Sequence, residues 1–322
     1  MSEIKTLFNV IGPISIAVTI PWIIFKMFCT VWLKKGYNNL VGKVVVITGA
    51  SSGLGEALAH EFYKHGAQVV LCARRRQELE RVRTDLLHSH SKDMTHPPII
   101  IPLDLNEPSE LQNHVDKILS ITGRIDILVN NGGISHRGTV NDTTLEVHRQ
   151  IMSVNYFGAL ALTKAVLVDM LKNKKGQIVF ISSVQGLVAL PERSAYSASK
   201  HALQAFSDSL RAEIASSNIS VSVISPGYIK TKLSLNALTG SGKAHGQMDA
   251  TTESGYSPEY AAEQIVKAVV QKKKEIVLST LLPQVAILLR KYMPLLYYIV
   301  MERRAKKLEQ QKQFQNVMGK NQ

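Results

Sequence analysis

The amino-acid sequence predicts an α/β fold in which helices cover both faces of a parallel sheet. Short runs rich in Val and Ile alternate with segments of helical periodicity, a pattern typical of strands that are buried on both faces. The chain has 322 residues, enough for one large α/β domain with appendages. The apolar run at 43–48 leads into a glycine-rich turn at 49–55 and then into a helical pattern. Together these observations predict a doubly wound parallel sheet.

The candidate strands and helices follow one another along the chain in the order that such a sheet requires. One helical pattern follows the glycine-rich turn. A second contains residues 153–158 and ends near Met170, and a third covers residues 258–270. The candidate strands are short and apolar, and they lie at residues 43–48, 68–72, 99–105, 125–129, 176–183, 221–227 and 275–278.

The net charge of +13 points to an anionic partner, either a membrane surface or an anionic cofactor. Lys and Arg cluster near two apolar segments and in the C-terminal tail, without the interleaved aromatic residues typical of nucleic-acid binding. We therefore expect no nucleic-acid partner. The two cysteines, Cys29 and Cys72, exclude a disulfide framework, and nothing in the sequence suggests a metal site.

The N-terminal residues 1–36 are expected to form an uncleaved, single-pass membrane anchor. Residues 7–25 are uncharged, and nineteen helical residues span about 28 Å, close to the hydrocarbon thickness of a bilayer. A cleaved signal peptide is disfavoured because the apolar stretch is long, and a helix lying in the interface stays open because Lys26 interrupts the apolar run. Lysines after the span favour a cytosolic location for the following domain. We expect the endoplasmic reticulum membrane, with the peroxisomal membrane as the alternative.

The glycine-rich turn at 49–55 predicts a dinucleotide site. A turn of this kind between a strand and a helix lets the backbone approach a pyrophosphate at the helix N-terminus. The second strand then ends in Ala73-Arg74-Arg75-Arg76, with no acid before Glu78. Arginine suits the 2′-phosphate of NADP(H), whereas an acid binds the ribose hydroxyl of NAD(H). We therefore expect NADP(H) over NAD(H), with Arg74 first and Arg75 second; the alternative is that these arginines only begin a solvated helix.

Tyr196 and Lys200 are the candidate acid–base pair. They stand four residues apart, so on a helix both side chains project from one face. An ammonium beside a phenol should lower the phenol pKa from about 10 toward neutrality and make Tyr196 a usable acid or base. A Tyr–Lys pair is also common on solvated helices, so the surrounding motifs decide its meaning.

Those motifs resemble the short-chain dehydrogenase/reductase family over roughly residues 41–280. They are the turn Thr48-Gly49-x-x-x-Gly53-x-Gly55, the segment Asn130-Asn131-Gly132-Gly133, and Ser183 placed thirteen residues before Tyr196. Gly132 stands where the family usually has alanine, a small change in bulk. The resemblance implies a Rossmann-type sheet of seven parallel strands in the order 3-2-1-4-5-6-7. It also implies a homodimer as the default assembly.

The resemblance assigns roles to individual residues. Ser183, Tyr196, Lys200 and Asn155 match the catalytic positions, with Ser183 and Tyr196 contacting the substrate and Asn155 holding a water of a proton relay. The ammonium of Lys200 is expected to bond the nicotinamide ribose. The cofactor is expected to meet Thr48, Gly49, Ser51, Ser52, Gly53, Leu54, Gly55, Arg74, Arg75, Asp104, Leu105, Asn131, Gly132, Tyr196, Lys200, Pro226, Gly227, Ile229 and Thr231.

Three further segments surround this core. Residues 232–257 are rich in Gly, Ser and Thr and are expected to form a mobile substrate lid. Arg137 and Arg193 near the rim are either contacts for a lipid phosphate or plain surface arginines. Residues 281–301 are apolar but interrupted, and they predict either an amphipathic helix pair resting on a membrane or packing against the domain or a partner subunit. Residues 302–322 are expected to be a frayed basic tail.

These expectations define an anchor at 1–36, a Rossmann domain at 39–280 and a C-terminal extension at 281–322. The function they imply is a membrane-anchored, NADP(H)-dependent oxidoreductase. It would reduce a ketone or aldehyde of a lipid-like substrate, or oxidise the corresponding alcohol. The resemblance implies lipid metabolism, with dihydroxyacetone phosphate lipids, steroids and retinoids as candidate substrates. The alternative is an NADPH-binding scaffold or sensor in which catalysis is vestigial.

Overall fold

The computed structural model describes residues 36–90 and 96–319. A sheet of seven parallel strands forms the centre, and its order β3-β2-β1-β4-β5-β6-β7 confirms the expected order. The strands are β1 (Val44–Thr48), β2 (Gln68–Ala73), β3 (Ile99–Pro102), β4 (Ile127–Asn130), β5 (Gly176–Ile181), β6 (Ile219–Pro226) and β7 (Glu275–Leu278).

Helices connect these strands and continue beyond the last of them. The longer ones are α1 (Gly53–Lys64), α2 (Arg76–Ser89), α3 (Leu111–Thr122), α4 (Leu145–Asn173), α5 (Ser194–Glu213), α6 (Pro258–Val270), α7 (Leu281–Tyr292) and α8 (Pro294–Gly319). Two-residue strands at His136–Arg137 and Leu238–Thr239 pair outside the main sheet. The expected helix pair over residues 281–301 is therefore present. The frayed tail was a wrong expectation, because α8 continues through it to Gly319.

Strand β1 explains why the sheet is buried on both faces. Val45 and Ile47 pack with the apolar sides of α1, α2 and α6, whereas Val44 and Val46 pack with those of α3, α4 and α5. Successive side chains of a strand point to opposite faces, so a run of consecutive β-branched residues suits a strand between two helical layers. The apolar run read from the sequence thus sits at the middle of the core.

Two strands end earlier than the sequence suggested. Strand β3 stops at Pro102, and Asp104 then turns the chain by accepting a hydrogen bond from the Asn106 amide at 2.9 Å. Strand β5 stops at Ile181, and Ser183 begins a 3-10 turn by accepting a hydrogen bond from the Gln185 amide at 3.1 Å. In both places a polar side chain satisfies the backbone that would otherwise continue in the sheet. The polar residues therefore stand in loops at the carboxyl edge.

Helix α4 contains a wider π turn at Ser153–Phe157. Turns of this kind interrupt an α-helix at functional sites more often than elsewhere. Within the described residues, α4 is long and apolar enough to cross a membrane, but half of its apolar window is buried inside the domain. Its composition is accounted for by packing in the core. The predicted anchor falls on residues 1–36, nearly all of which lie outside the described residues.

Candidate active site

A cleft of about 520 Å³ opens at the carboxyl edge of the sheet. This edge includes the point where strand order reverses, between β1 and β4, and open α/β sheets bind ligands at such a point. Of the site residues that the sequence predicted, Thr48 and Asn155 are buried next to the cleft and the rest line it. The lining set is Gly49, Ser51, Ser52, Gly53, Leu54, Gly55, Arg74, Arg75, Asp104, Leu105, Asn131, Gly132, Ser183, Tyr196, Lys200, Pro226, Gly227, Ile229 and Thr231.

The glycine-rich turn forms one wall of the cleft. Gly49 and Gly53 have φ angles of +68° and +59°, which side chains other than glycine adopt at a cost. A Cβ on Gly55 would lie 2.2 Å from the Gly49 carbonyl oxygen, so this position is open only to glycine. Helix α1 begins at Gly53, and no side chain caps its first amides. The arrangement fits an anion at the helix N-terminus, as a pyrophosphate would require.

Thr48 and Asn131 tie this turn to the end of β4. The Thr48 hydroxyl oxygen accepts hydrogen bonds from the amides of Asn131 and Gly132 at 2.9 and 2.8 Å. The Asn131 side chain donates to the Thr48 carbonyl at 2.8 Å. A Cβ on Gly132 would lie 2.6 Å from Leu105 Cδ1, so Leu105 occupies the space that an alanine methyl would need. An alanine at this position would therefore require the Leu105 side chain to shift.

The end of the cleft beside the carboxyl ends of β2 and β3 is lined by two arginines and an acid. We call it the far end. Arg74 and Arg75 follow β2 and are exposed, and Arg75 Nη2 donates to Ser51 Oγ in the glycine-rich turn at 3.3 Å. Asp104 lines the same end while holding its own turn. The next acid along the chain, Glu78, accepts a hydrogen bond from Arg81 at 3.1 Å and does not line the cleft.

The near end of the cleft contains the Ser183–Tyr196–Lys200 group. Tyr196 is buried on α5 and is hydrogen-bonded to the side chain of Ser183. Lys200 Nζ lies 5.7 Å from the centroid of the Tyr196 ring and donates to the Ile181 carbonyl at 2.9 Å. Ser182 differs from its neighbour, because its hydroxyl donates to the Lys200 carbonyl at 3.3 Å. The Ser183 hydroxyl donates to the Pro226 carbonyl at 3.5 Å, and of the two serines it is Ser183 that contacts the tyrosine side chain.

Burial sets the pKa values of the tyrosine and the lysine. Burial raises the pKa of Tyr196, while the Ser183 hydrogen bond and the charge of Arg137 act in the opposite direction. Burial also lowers the pKa of Lys200 to about 8. The net shift is upward, against the expectation that the Tyr196 pKa falls toward neutrality, because desolvation outweighs the contributions that favour the phenolate. Tyr196 is consequently protonated at neutral pH.

Asn155 lies behind this group in the π turn of α4. Its Oδ1 accepts a hydrogen bond from the Ile134 amide at 2.8 Å, and its Nδ2 donates to the Ile134 carbonyl and to Ser199 Oγ, both at 3.0 Å. Ser199 Oγ in turn donates to the Tyr196 carbonyl at 2.8 Å. Asn155 therefore fixes the loop after β4 to the helix that carries Tyr196. The water expected at Asn155 stays a prediction.

Ser199 was not foreseen from the sequence. It is fully buried and links Asn155 to the backbone of Tyr196. The available signal was its position on α5, three residues after Tyr196 and one before Lys200, among several small residues. Small residues allow a helix to approach its neighbours closely, which is what the contact between α5 and the π turn of α4 requires.

Arg137 and Arg193 are not surface arginines, as one interpretation of the sequence held. Their side chains are only 11% and 18% exposed, and both face Asp249. Arg137 binds both carboxylate oxygens of Asp249, and Arg193 Nη2 lies 3.5 Å from Asp249 Oδ2. Burial and the charge of Arg137 lower the pKa of Arg193 to about 10. The predicted lid segment, which contains Asp249, is thus held to the wall of the cleft by charge.

Replacing Asp249 with alanine should loosen this segment. The two arginines would then face each other without a shared anion, and hydrogen bonds to charged groups contribute about 1.5–3 kcal/mol each. Cleavage by trypsin after Lys243 should become at least about tenfold faster. Glu253→Ala, at an exposed carboxylate in the same segment, is the matched control and should leave the cleavage rate unchanged. Equal cleavage rates in the two variants would mean that the ion pairs do not hold the segment.

Known proteins resemble this chain over most of its length. Residues 43–240 match the family model described as short chain dehydrogenase. A "Dehydrogenase/reductase SDR family protein 7-like" of Anopheles gambiae is 55% identical over 90% of this chain and 92% of its own length. A "Dehydrogenase/reductase SDR family member 7B" of Xenopus laevis is 47% identical over 85% of each chain.

Solved structures share the fold. A short-chain dehydrogenase of Streptomyces avermitilis has a TM-score of 0.67 and 27% identity, covering 83% of this chain and 97% of its own. An alcohol dehydrogenase of Thermococcus sibiricus, complexed with 5-hydroxy-NADP, has a TM-score of 0.62 and 24% identity, covering 73% and 95%. A short chain dehydrogenase/reductase of Burkholderia phymatum, in complex with NAD, has a TM-score of 0.67 and 22% identity, covering 84% and 96%. On the family model and these close relatives, the chain belongs to the short-chain dehydrogenase/reductase family.

Proposed function

We propose that this chain is a membrane-anchored, NADP(H)-dependent oxidoreductase that reduces a ketone or aldehyde of a lipid-like substrate. The observation that carries the proposal is the buried Tyr196, hydrogen-bonded to Ser183 at one end of a cleft whose other end is a glycine-rich helix N-terminus. A proton donor and a dinucleotide cradle in one cleft are the two parts that carbonyl reduction needs. The catalytic group is Ser183, Tyr196, Lys200 and Asn155.

The residues of the cleft fit a nicotinamide dinucleotide. The glycine-rich turn offers open amides at the start of α1, and a side chain on Gly55 would collide with the backbone of Gly49. Thr231 packs against Gly53, which puts it at the same wall. The bound cofactor would supply the hydride, and the protein would bind and orient it.

We propose that the cleft binds NADP(H) in preference to NAD(H). Arg74 and Arg75 line the end of the cleft where a 2′-phosphate would bind, and guanidinium groups match phosphate geometry. The next acid along the chain after these arginines, Glu78, accepts a hydrogen bond from Arg81. It is therefore not available to accept hydrogen bonds from a ribose. The solved relatives include one complexed with an NADP derivative and one with NAD, which is consistent with a nicotinamide cofactor of either kind.

Residues of the chain would then hold the carbonyl oxygen of the substrate and supply its proton. Ser183 would hold the carbonyl oxygen by a hydrogen bond, and Tyr196 would protonate that oxygen as negative charge develops on it. The ammonium of Lys200 is 5.7 Å from the Tyr196 ring and would stabilise the phenolate left behind. Asn155, together with Ser199, would hold α5 in register so that Tyr196 reaches the oxygen.

The raised pKa of Tyr196 favours the reductive direction near neutral pH. A phenol that stays protonated is a proton donor, whereas the oxidation of an alcohol requires the phenolate as the base. We therefore expect reduction to be the efficient reaction at pH 7 and oxidation to gain as the pH rises.

The efficiency of reduction, measured as kcat/KM, should fall as the pH rises above about 8. Lys200 loses its positive charge near that pH, and its charge is needed to stabilise the phenolate. Well above its pKa, each pH unit removes about nine-tenths of the remaining charged form, so kcat/KM should drop about tenfold per unit. Lys230→Met, at an exposed lysine, should keep the same profile. A profile that stays flat to pH 9 would exclude this role for the Lys200 charge.

A membrane location suits a lipid-like substrate. Residues 7–25 are apolar and long enough to span a bilayer, and the lysines after them favour a cytosolic active site. We propose the endoplasmic reticulum membrane, with the peroxisomal membrane as the alternative. A homodimer is proposed as the assembly.

The proposed activity is tested by NADPH oxidation with the full chain in detergent, against a panel of carbonyl lipids. The panel should contain steroid, retinoid and dihydroxyacetone phosphate ketones, each with NADH as the parallel cofactor. We expect one lipid class to be reduced, with NADPH favoured over NADH. Tight NADPH binding without turnover of any lipid would favour the alternative of an NADPH-binding scaffold or sensor.

A further inference from the structure

Half of the large apolar side chains exposed in the described residues are concentrated in twenty consecutive positions. These are 11 of the 22 exposed Val, Leu, Ile, Met, Phe and Tyr residues, and they lie on α7, on the linker and at the start of α8. Contiguous patches of this kind mark interaction sites. The members are Leu281, Leu282, Val285, Leu288, Tyr292, Met293, Leu295, Leu296, Tyr298, Ile299 and Val300. We call α7 and residues 294–311 the C-terminal helix pair.

The domain covers only a small part of this helix pair. Tyr297 is 4% exposed and donates its hydroxyl hydrogen bond to the Ala189 carbonyl. Gln284 donates to the Ser279 carbonyl at 2.9 Å. Ala189 belongs to the loop between Ser183 and Tyr196, and α7 follows the carboxyl end of β7. The pair is therefore attached beside the mouth of the cleft, with the eleven exposed apolar side chains turned outward.

Cations and tyrosines border the apolar patch. Residues 281–311 contain six Lys and Arg against two Glu, a net charge of +4. The Arg290 guanidinium lies 5.7 and 5.3 Å from the ring centroids of Tyr297 and Tyr298, and Lys291 Nζ lies 5.2 Å from that of Tyr292. Apolar side chains flanked by tyrosines and basic residues are the pattern of a helix that lies in the membrane interface. The positive charge suits the anionic headgroups of a cytoplasmic leaflet.

A second copy of the chain is a poorer occupant of the patch. A two-fold interface brings the same surface of both subunits together. It would bring a net charge of +4 on one helix pair against +4 on the other, and like charges across an interface are unfavourable.

The leading segment of this chain is also a poorer occupant. The described chain begins at Gly36, where an added Cβ would meet the Val270 side chain at 2.2 Å. Val270 ends α6, just before the start of β7, whereas the helix pair follows the end of β7. The leading segment therefore joins the domain at the opposite end of β7.

We infer that the C-terminal helix pair is a second membrane contact, seated in the interface of an anionic bilayer and holding the mouth of the cleft against the lipid. A pair attached to the loop between Ser183 and Tyr196 would let a lipid move from the bilayer into the cleft without crossing water. The bilayer contact follows from the exposed surface and its charge. It can therefore stand even if the proposed carbonyl reduction fails.

The test measures the depth of one side chain of the full chain in vesicles. The starting variant is Cys29→Ser. Cys72 can stay, because its thiol is buried and burial raises its pKa to about 12, so it does not react with a thiol label. A fluorescent NBD label is attached at Leu295→Cys, where the native side chain is 77% exposed. Leu87→Cys on α2 is the matched control, near the opposite edge of the sheet. The vesicles contain phosphatidylcholine and phosphatidylserine, with doxyl-labelled lipid as the quencher.

We expect doxyl lipid to quench the label at Leu295→Cys several-fold more strongly than the label at Leu87→Cys. Two results would overturn the inference. A blue-shifted label that lipid does not quench would mean that protein, either the leading segment or a second copy, covers the patch. An unshifted and unquenched label would mean that the patch faces water.

A charge reversal separates lipid contact from general apolar exposure. Arg303→Glu combined with Lys307→Glu, one helical turn apart, should reduce lipid quenching at Leu295→Cys several-fold in anionic vesicles. Arg303→Lys combined with Lys307→Arg keeps the charge and should keep the quenching. Equal quenching for both pairs would overturn the role of anionic lipid. Binding of NADPH by each variant reports that the domain is folded.

Discussion

Replacing Tyr196 with phenylalanine should lower the turnover number by about a thousandfold while leaving the affinity for NADPH nearly unchanged. A positioned general acid contributes about 10²–10⁴ to a rate, and this change removes only the hydroxyl that gives the proton. The tyrosine ring itself is buried, so the ring of the introduced phenylalanine would fill the same space on α5. Single-turnover reduction at saturating NADPH, together with NADPH titration by fluorescence, measures the two quantities separately.

Tyr228→Phe is the matched control for this prediction. Tyr228 also lines the cleft, but it follows β6 and does not lie on α5 with Tyr196 and Lys200. Its loss should change the turnover number little. If Tyr196→Phe kept the rate of the unaltered chain, another group would have to supply the proton. If neither protein turned over any lipid while both bound NADPH, the scaffold alternative would gain, and a scaffold would keep its cellular effect in the Tyr196→Phe variant.

Replacing Arg74 with alanine should weaken NADP(H) binding by about 10- to 150-fold and leave NAD(H) binding unchanged. The range corresponds to the 1.5–3 kcal/mol of hydrogen bonds to a charged group. Arg74 lines the cleft and is exposed, so the guanidinium is free to meet the extra phosphate of NADP(H). Arg75→Ala should have a smaller effect because Arg75 also donates to Ser51. Titration calorimetry with each cofactor measures the change.

Arg76→Ala is the control for the arginine run. Its side chain is 74% exposed, lies 3.7 Å from Glu80 and does not line the cleft. The variant loses the same charge two residues further on, so a long-range charge effect would appear in both variants. Equal losses for Arg74→Ala and Arg76→Ala would contradict direct recognition of the phosphate. A loss of NAD(H) affinity in Arg74→Ala would show that the arginine serves both cofactors.

Local sequence patterns were enough to predict the centre of the fold. The run at 43–48 is β-branched and apolar at nearly every buried position, and it became the strand β1 in the middle of the sheet. The sheet order came from the resemblance to a family and not from periodicity. Strand ends were less predictable, because Asp104 and Ser183 stop their strands with side-chain hydrogen bonds that compete with the ladder.

The spacing of residues in the sequence predicted which side chains line the cleft, but it did not predict their pKa values or ion pairs. Tyr196 and Lys200 share one face of α5, as four-residue spacing requires, yet the pKa of Tyr196 is raised. Burial depends on the packing of distant segments, which no local pattern contains. The pairing of Arg137 with Asp249, 112 residues further along the chain, has the same origin. Ser199 acts only through its contacts with Asn155 and Tyr196, so its residue type and its position in the sequence did not predict its role in the site.

The transfer of deuterium from cofactor to lipid tests the central claim most directly. The full chain in vesicles is incubated with NADPH that carries deuterium at C4 of the nicotinamide and with an unfractionated extract of membrane lipids, and the alcohols formed are examined by mass spectrometry. The account predicts an alcohol that carries one deuterium on its carbinol carbon, formed by the unaltered chain and absent with Tyr196→Phe. If the chain binds NADPH but no lipid gains deuterium, the cleft does not perform carbonyl reduction.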